Sequence, residues 1–183
     1  LPLNGKDRAV AKETLENAEK VVSISSFMKE KLLVLGLGKE KVVLVNPGVD
    51  VKKFVPKKPS KEIAERTGYG KNRILLTVTR LVDRKGIDYA IRAFAEVRKE
   101  SKDVKFVIVG EGPERGNLQK LAEELNVGGD VLFVGPAGNE ELVDYYNACD
   151  VFVLPSVVDE KQFKSEGFGI VFLEAAASGL QVI

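Results

Sequence analysis

The chain has 183 residues, 44% hydrophobic and 30% charged, which describes a soluble globular protein long enough to bury a substantial core. A formal net charge of +1 gives no bulk attraction to a polyanion, so no nucleic-acid partner is expected. The single cysteine, Cys149, excludes an internal disulfide, and the absence of histidine removes the commonest neutral-pH base and leaves no metal-ligand cluster.

No apolar run approaches the roughly 20 residues of a membrane-spanning helix. Residues 1–12 lack the layout of a signal peptide. Residues 1–19 are polar with helical spacing from about Lys6, and residues 21–25 read as a short strand. Ser25 or Ser26 is placed to cap a helix whose Met28, Leu32 and Leu35 share one face, ended by Gly36 and Gly38. Residues 42–45 form another β-branched run, and Asn46-Pro47-Gly48 reads as a turn. Residues 50–60 are rich in lysine and proline, the composition of a linker or boundary loop.

A regular alternation follows. Strands are expected at residues 74–79, 104–109, 131–134, 151–154 and 181–183. Helices are expected at residues 87–99 (Ile87, Ile91, Phe94 and Val97 facing inward), 114–125, 140–147 and from Ile170. Short strands apolar on both faces, alternating with helices, imply a parallel sheet covered on both sides, hence a Rossmann-like doubly wound α/β fold. Ligands bind such sheets outside the carboxyl ends of the strands. That edge collects residues 79–85, 110–113, 135–138 and 155–169. The last strand breaks off without the cover it needs, which implies a piece of something longer.

Three constellations lie on this edge. Arg80 offers a planar fork and Lys85 a compact cation in a strand-to-helix loop, the parts of a pyrophosphate clamp or of an ordinary charged surface loop. Glu166-Gly167-Phe168-Gly169 leads into a helix at Ile170, whose amino end would suit a phosphate. Glu174, one turn in, is placed to accept hydrogen bonds from a ribose diol, or else to be a partnered carboxylate in a packed layer. Gly110, Gly112 and Gly116 suggest a dinucleotide fingerprint, but the G-x-G-x-x-x-G spacing is one residue too long. Asp130 also lies before, not after, the next strand. The charged residues 159–164 read as a lid or a solvated loop, and Cys149 as a small buried hydrophobe.

In order and spacing these stretches resemble the family-four retaining nucleotide-sugar glycosyltransferases of GT-B architecture, from about Val21 to Ile183. The marks are Val22-Ser23-Ile24-Ser25, Pro47-Gly48-Val49-Asp50 with Phe54, Thr79-Arg80-Leu81 with Lys85-Gly86, and Val109-Gly110-Glu111-Gly112-Pro113. Ala148-Cys149-Asp150-Val151-Phe152, Glu166-Gly167-Phe168-Gly169 and Glu174-Ala175 complete them. Asn46-Pro47-Gly48 departs from the usual Pro-Asn-Gly, Thr79 from Gly or Ala, and Gln181 from Pro, none of them removing a ligand-binding side chain.

The resemblance implies that residues 49–183 are most of the C-terminal, donor-binding Rossmann-like half of a GT-B fold, and residues 1–48 the end of the N-terminal domain with its connection. Arg80 and Lys85 would hold the donor diphosphate, and Glu166 the hydroxyls of the donor sugar. Gly167, Phe168, Gly169 and Ile170 would lend backbone groups to sugar and phosphate, and Glu174 would hold the ribose. Gly110, Gly112, Gly135 and Pro136 would line the base pocket. No metal or other cofactor is implied. The partners would be a nucleotide-sugar donor and a glycan or lipid acceptor bound through the N-terminal domain. The setting would be carbohydrate biosynthesis in the cytoplasm or peripherally at the inner face of its membrane. The isolated piece is expected to bind donor without turnover. Nucleotide-sugar epimerases share this architecture and form the alternative.

Overall fold

The computed structural model describes residues 5–157 and 166–183. Among them, those up to Gly48 together with residues 166–169 cluster into one compact unit, and Val49–Val157 with Ile170–Ile183 into a second. No helix among the described residues is long and apolar enough to cross a membrane.

The first unit holds α1 (Gly5–Asn17), β1 (Val21–Ser23), α2 (Ser26–Val34) and β2 (Val42–Leu44). The strands pair in parallel with Val21 opposite Val42. Ser25 caps α2, its hydroxyl accepting from the Met28 amide at 3.2 Å. Of the three residues expected to share one face of α2, Met28 and Leu32 are half-buried and Leu35 is exposed at the carboxyl cap; none of the helix's residues is fully buried. Gly36, at φ +93°, follows that cap.

The second unit carries a five-stranded parallel sheet in the order β5-β4-β3-β6-β7. Its strands are β3 (Arg73–Val78), β4 (Val104–Val109), β5 (Val131–Gly135), β6 (Val151–Phe152) and β7 (Gln181–Val182). Its helices are α3 (Lys61–Thr67), α4 (Ile87–Glu100), α5 (Arg115–Glu124), α6 (Asn139–Asn147) and α7 (Ile170–Ala177). The central strands β3 and β4 bury side chains on both faces, among them Ile74, Leu76, Phe106, Val107 and Ile108, which is why they read as nearly unbroken apolar runs. Thr77 interrupts that run, and its buried hydroxyl donates to the Val153 carbonyl. Asp150 fixes the start of β6 against β3: its carboxylate accepts from the Ile74 amide at 2.7 Å, and its amide donates to the Ile74 carbonyl at 2.9 Å. From β3 the chain steps outward through β4 to β5, then returns to place β6 on the other side of β3. That reversal makes the β3/β6 boundary the topological switch point of the sheet.

Several sequence expectations are corrected here. Residues 46–48 form no turn; the chain turns after Asp50, whose carboxylate accepts from the Lys52 amide at 2.9 Å and whose carbonyl accepts from the Phe54 amide at 2.9 Å. Residues 50–60, expected as a linker or boundary loop, do follow the boundary between the two units at Gly48/Val49, but they are not a free linker. Phe54 is buried in the core, edge-on to Tyr146 at 5.8 Å. The Lys57 amide donates to Asn147 at 2.6 Å and Lys57 pairs with Asp144 at 2.9 Å, lashing the segment to α6. Partial burial works against the charged form of Asp144, but hydrogen bonds from Lys57 and Ser60 outweigh it and hold that carboxyl below its ordinary range. Helix α3 was not expected at all. On α4, Ile87, Ile91 and Phe94 are buried as expected, but Val97 is 44% exposed, and Ala90 and Ala95 complete the inward face. Val97→Gln is therefore expected to change unfolding free energy by no more than about 0.5 kcal/mol, measured by urea melts.

Candidate functional site

All five strands run in parallel, so the loops after β3, β4, β5 and β6 leave the sheet at its carboxyl edge, as the sequence implied. These loops are joined by main-chain hydrogen bonds that continue the ladder beyond the strands. The Thr79 amide donates to the Val109 carbonyl at 3.0 Å, the Leu81 amide to the Glu111 carbonyl at 2.9 Å, and the Glu114 amide to the Leu81 carbonyl at 3.1 Å. The Gly110 amide donates to the Gly135 carbonyl at 2.8 Å, and the Val157 amide to the Arg84 carbonyl at 2.9 Å. Leu81 is fully buried beneath.

Such close approach explains the glycines. Gly110 sits at φ +135°, and a Cβ there would lie 1.8 Å from the Thr79 carbonyl oxygen. A Cβ on Gly112 would lie 2.2 Å from the Leu81 carbonyl oxygen, and one on Gly86 2.1 Å from that of Pro155. These positions are glycine because backbone passes where a side chain would be. Arg115 secures the same region, pairing with Glu111 at 2.7 Å and donating to the Phe133 carbonyl at 3.2 Å.

Arg80 and Lys85 both leave this scaffold in the β3–α4 loop, but in different surroundings. Arg80 is exposed. Lys85, in a short 3-10 turn (Asp83–Lys85) closed by Gly86, is only 8% exposed and is engaged within the fold. Sequence reasoning treated the pair as equivalent; burial separates them.

Helix α7 connects to β7, which runs parallel to β6, so its amino end lies at the same carboxyl edge and it descends toward the opposite edge. Ile170 is exposed at its start. Glu174, one turn in, is half-buried and accepts a hydrogen bond from the Tyr146 hydroxyl at 2.8 Å. It is thus a partnered carboxylate in a packed layer, on a helix whose amino end lies at the carboxyl edge. Burial, with the Glu174 carboxylate beside it, pushes the Tyr146 phenol far above its ordinary range, so it stays protonated and serves as donor. Tyr146 was missed from the sequence.

Pro136 is exposed after Gly135, which ends β5 at φ +90°. In the first unit, Glu166, Gly167, Phe168 and Gly169 are half-buried. A Cβ on Gly167 would lie 3.4 Å from Ile24 Cδ1, and Gly169, the residue before α7 in the chain, has φ +76°. The charged residues 159–164 lie outside the described residues. Asp130, which has the wrong placement for a ribose acid, accepts from the Arg98 guanidinium at 2.9 Å. Burial, with Asp150 nearby, pushes the Cys149 thiol well above its usual range, and it packs against the core. Among the described residues no group of three or more His, Cys, Asp or Glu is arranged to hold a metal ion.

Comparison with known proteins gives the family and the fold. The family model described as glycosyl transferases group 1 matches residues 60–183. A GDP-mannose-dependent alpha-(1-6)-phosphatidylinositol monomannoside mannosyltransferase of Mycobacterium tuberculosis is 32% identical over 177 residues, covering 96% of this chain and 46% of the relative. The alpha-monoglucosyldiacylglycerol synthase of Streptococcus pneumoniae is 30% identical, covering 92% and 38%. Among solved structures, the sucrose-phosphate synthase of Thermosynechococcus elongatus matches with a TM-score of 0.77 at 29% identity, covering 98% of this chain and 43% of that one. The Anabaena HepE protein in complex with UDP and glucose shares the fold, with a TM-score of 0.82 at 22% identity over 98% and 48%. The chain therefore spans less than half the length of these relatives.

Proposed function

This chain belongs to the group 1 glycosyl transferases, and from that premise we propose that it supplies the donor-binding half of an enzyme moving a sugar from a nucleoside-diphosphate sugar to a glycan or lipid. The observation that carries the proposal is the placing of Arg80 and Lys85 at the switch point of the sheet, in a loop fixed by main-chain bonds, with the amino end of α7 at the same edge.

Breaking the bond between the sugar and its phosphate puts negative charge on the departing nucleoside diphosphate. Fixed cations there stabilise the transition state more than the ground state. Arg80 and Lys85 take that role, and no metal is assigned one. Glu174 holds the ribose hydroxyls. On the family resemblance, Glu166 engages the donor sugar, and the backbone of Gly167, Phe168, Gly169 and Ile170 meets sugar and phosphate. The edges of Gly110, Gly112, Gly135 and Pro136 line the base, and transfer retains the anomeric configuration.

Residues 49–183 form the donor domain in this reading, and residues 1–48 belong to the end of the preceding domain. Two relatives carry glycolipids in their names, one a phosphatidylinositol mannoside and one a glucosyldiacylglycerol, which supports a lipid acceptor and work at a membrane surface. Calorimetric titration of the full-length protein with UDP, GDP and ADP tests the proposal. One of the three is expected to bind, with the same affinity in the presence of EDTA. A protein that binds none of them, nor their sugar conjugates, does not have this function.

A further inference from the structure

Glu174 is the one charged residue in α7, so no neighbour along that helix pins its carboxylate. A glutamate left to itself samples many rotamers, and holding one of them on binding costs free energy. What restrains it is across the layer on α6. Tyr146 is fully buried, its ring edge-on to Phe54 at 5.8 Å and tilted against Phe152 at 6.1 Å. Phe152 in turn meets Phe172 of α7 edge-on at 5.4 Å. The four rings form a column that fixes the phenol independently of its hydroxyl, and the hydroxyl donates to Glu174 Oε2 at 2.8 Å. No hydrogen bond to Oε1 is found among the described residues.

The adjacent tyrosine has a different task. Tyr145 is equally buried, but its hydroxyl accepts from Arg66 at 2.9 Å. One buried phenol therefore serves the Arg66 guanidinium, and the next serves the Glu174 carboxylate.

We propose that Tyr146 is a positioning residue for the donor: its hydroxyl holds one oxygen of Glu174 so that the other is presented, already oriented, to the vicinal hydroxyls of a ribose. The inference rests on the reading of Glu174 as the ribose-holding acid. A carboxylate accepts from two neighbouring hydroxyls only in a narrow range of orientations, and the column supplies that orientation before the ligand arrives.

The test compares whichever of UDP, GDP and ADP binds the full-length protein with its 2′-deoxy and 3′-deoxy forms. The wild type is expected to prefer the ribonucleotide. Tyr146→Phe keeps the ring and removes the hydroxyl, and is expected to reduce that preference roughly five- to tenfold. Affinity for the deoxy forms and the melting temperature should change little. Tyr145→Phe should leave the preference as in wild type. Glu174→Ala should abolish the preference, and adding Tyr146→Phe to it should have no further effect. Equal weakening of ribo and deoxy ligands by Tyr146→Phe would mean a merely structural role and overturn the inference. So would an unchanged preference beside a flattened one in Glu174→Ala, an outcome that leaves the ribose reading standing. If Glu174→Ala keeps the preference, the ribose reading falls and the role of Tyr146 with it. Should Tyr146→Phe not fold, Tyr146→Met fills the same space without a hydroxyl and is read by the same criteria.

Discussion

Replacing Arg80 with alanine is expected to lower kcat by about 10²- to 10³-fold, the effect of removing one fixed donor from developing transition-state charge. Nucleoside-diphosphate binding should weaken by about tenfold or more, since a hydrogen bond to a charged group is worth about 1.5–3 kcal/mol. Because Arg80 is exposed, its loss should not move the melting temperature. Arg80→Lys should recover part of the binding only, lacking the planar fork that meets two phosphate oxygens at once. Lys85→Met keeps the aliphatic stem of a side chain that is 8% exposed and removes its charge. A similar loss of affinity is expected, here with a lower melting temperature, because Lys85 is also engaged within the fold. Calorimetric titration and thermal melts on the three variants separate these effects. Unchanged affinity in both Arg80→Ala and Lys85→Met would remove the clamp from the proposed mechanism.

The second large effect is on stability. Gly110→Ala would force an L side chain into φ +135° and put its Cβ 1.8 Å from the Thr79 carbonyl oxygen. Backbone strain and overpacking each cost about 1–3 kcal/mol, so about 2–6 kcal/mol is expected for the two together. The melting temperature should then fall by roughly 5–15 °C. Nucleotide binding should fall with it, since the displaced strand of the ladder is the one carrying Arg80. Gly116→Ala is the control: it has open space around its would-be Cβ inside α5 and should be neutral or slightly stabilising. A Gly110→Ala protein that melts with the wild type would show that the loops are not joined as described.

Much of this was legible because the signals are local. The β-branched runs of β3 and β4 announce strands buried on both faces, and alternation with helices fixes a parallel sheet and hence the edge where its loops gather. Sequence reasoning failed where a residue's role depends on a distant partner. Phe54 is one aromatic among lysines and prolines, and nothing nearby says that it packs against Tyr146. Helix α3, seven residues long, is too short to display an amphipathic period. The hydrogen bond between Tyr146 and Glu174 joins residues 28 apart in the chain. A tyrosine on an inward helix face signals that some acceptor must be found, but not which. The difference between Arg80 and Lys85 is likewise invisible in composition, because both stand in one charged loop.

The ladder of amides and carbonyls beyond the strands has a thermodynamic consequence for any ligand that meets it. A loop that must fold around a phosphate forfeits its freedom at the moment of capture, and affinity is lower by that amount. Here the main chain of residues 79–81 and 110–112 has already been immobilised in the act of folding. If the proposed clamp is right, an arriving diphosphate would find that main chain already fixed and would have chiefly the side-chain motion of the exposed Arg80 left to quench.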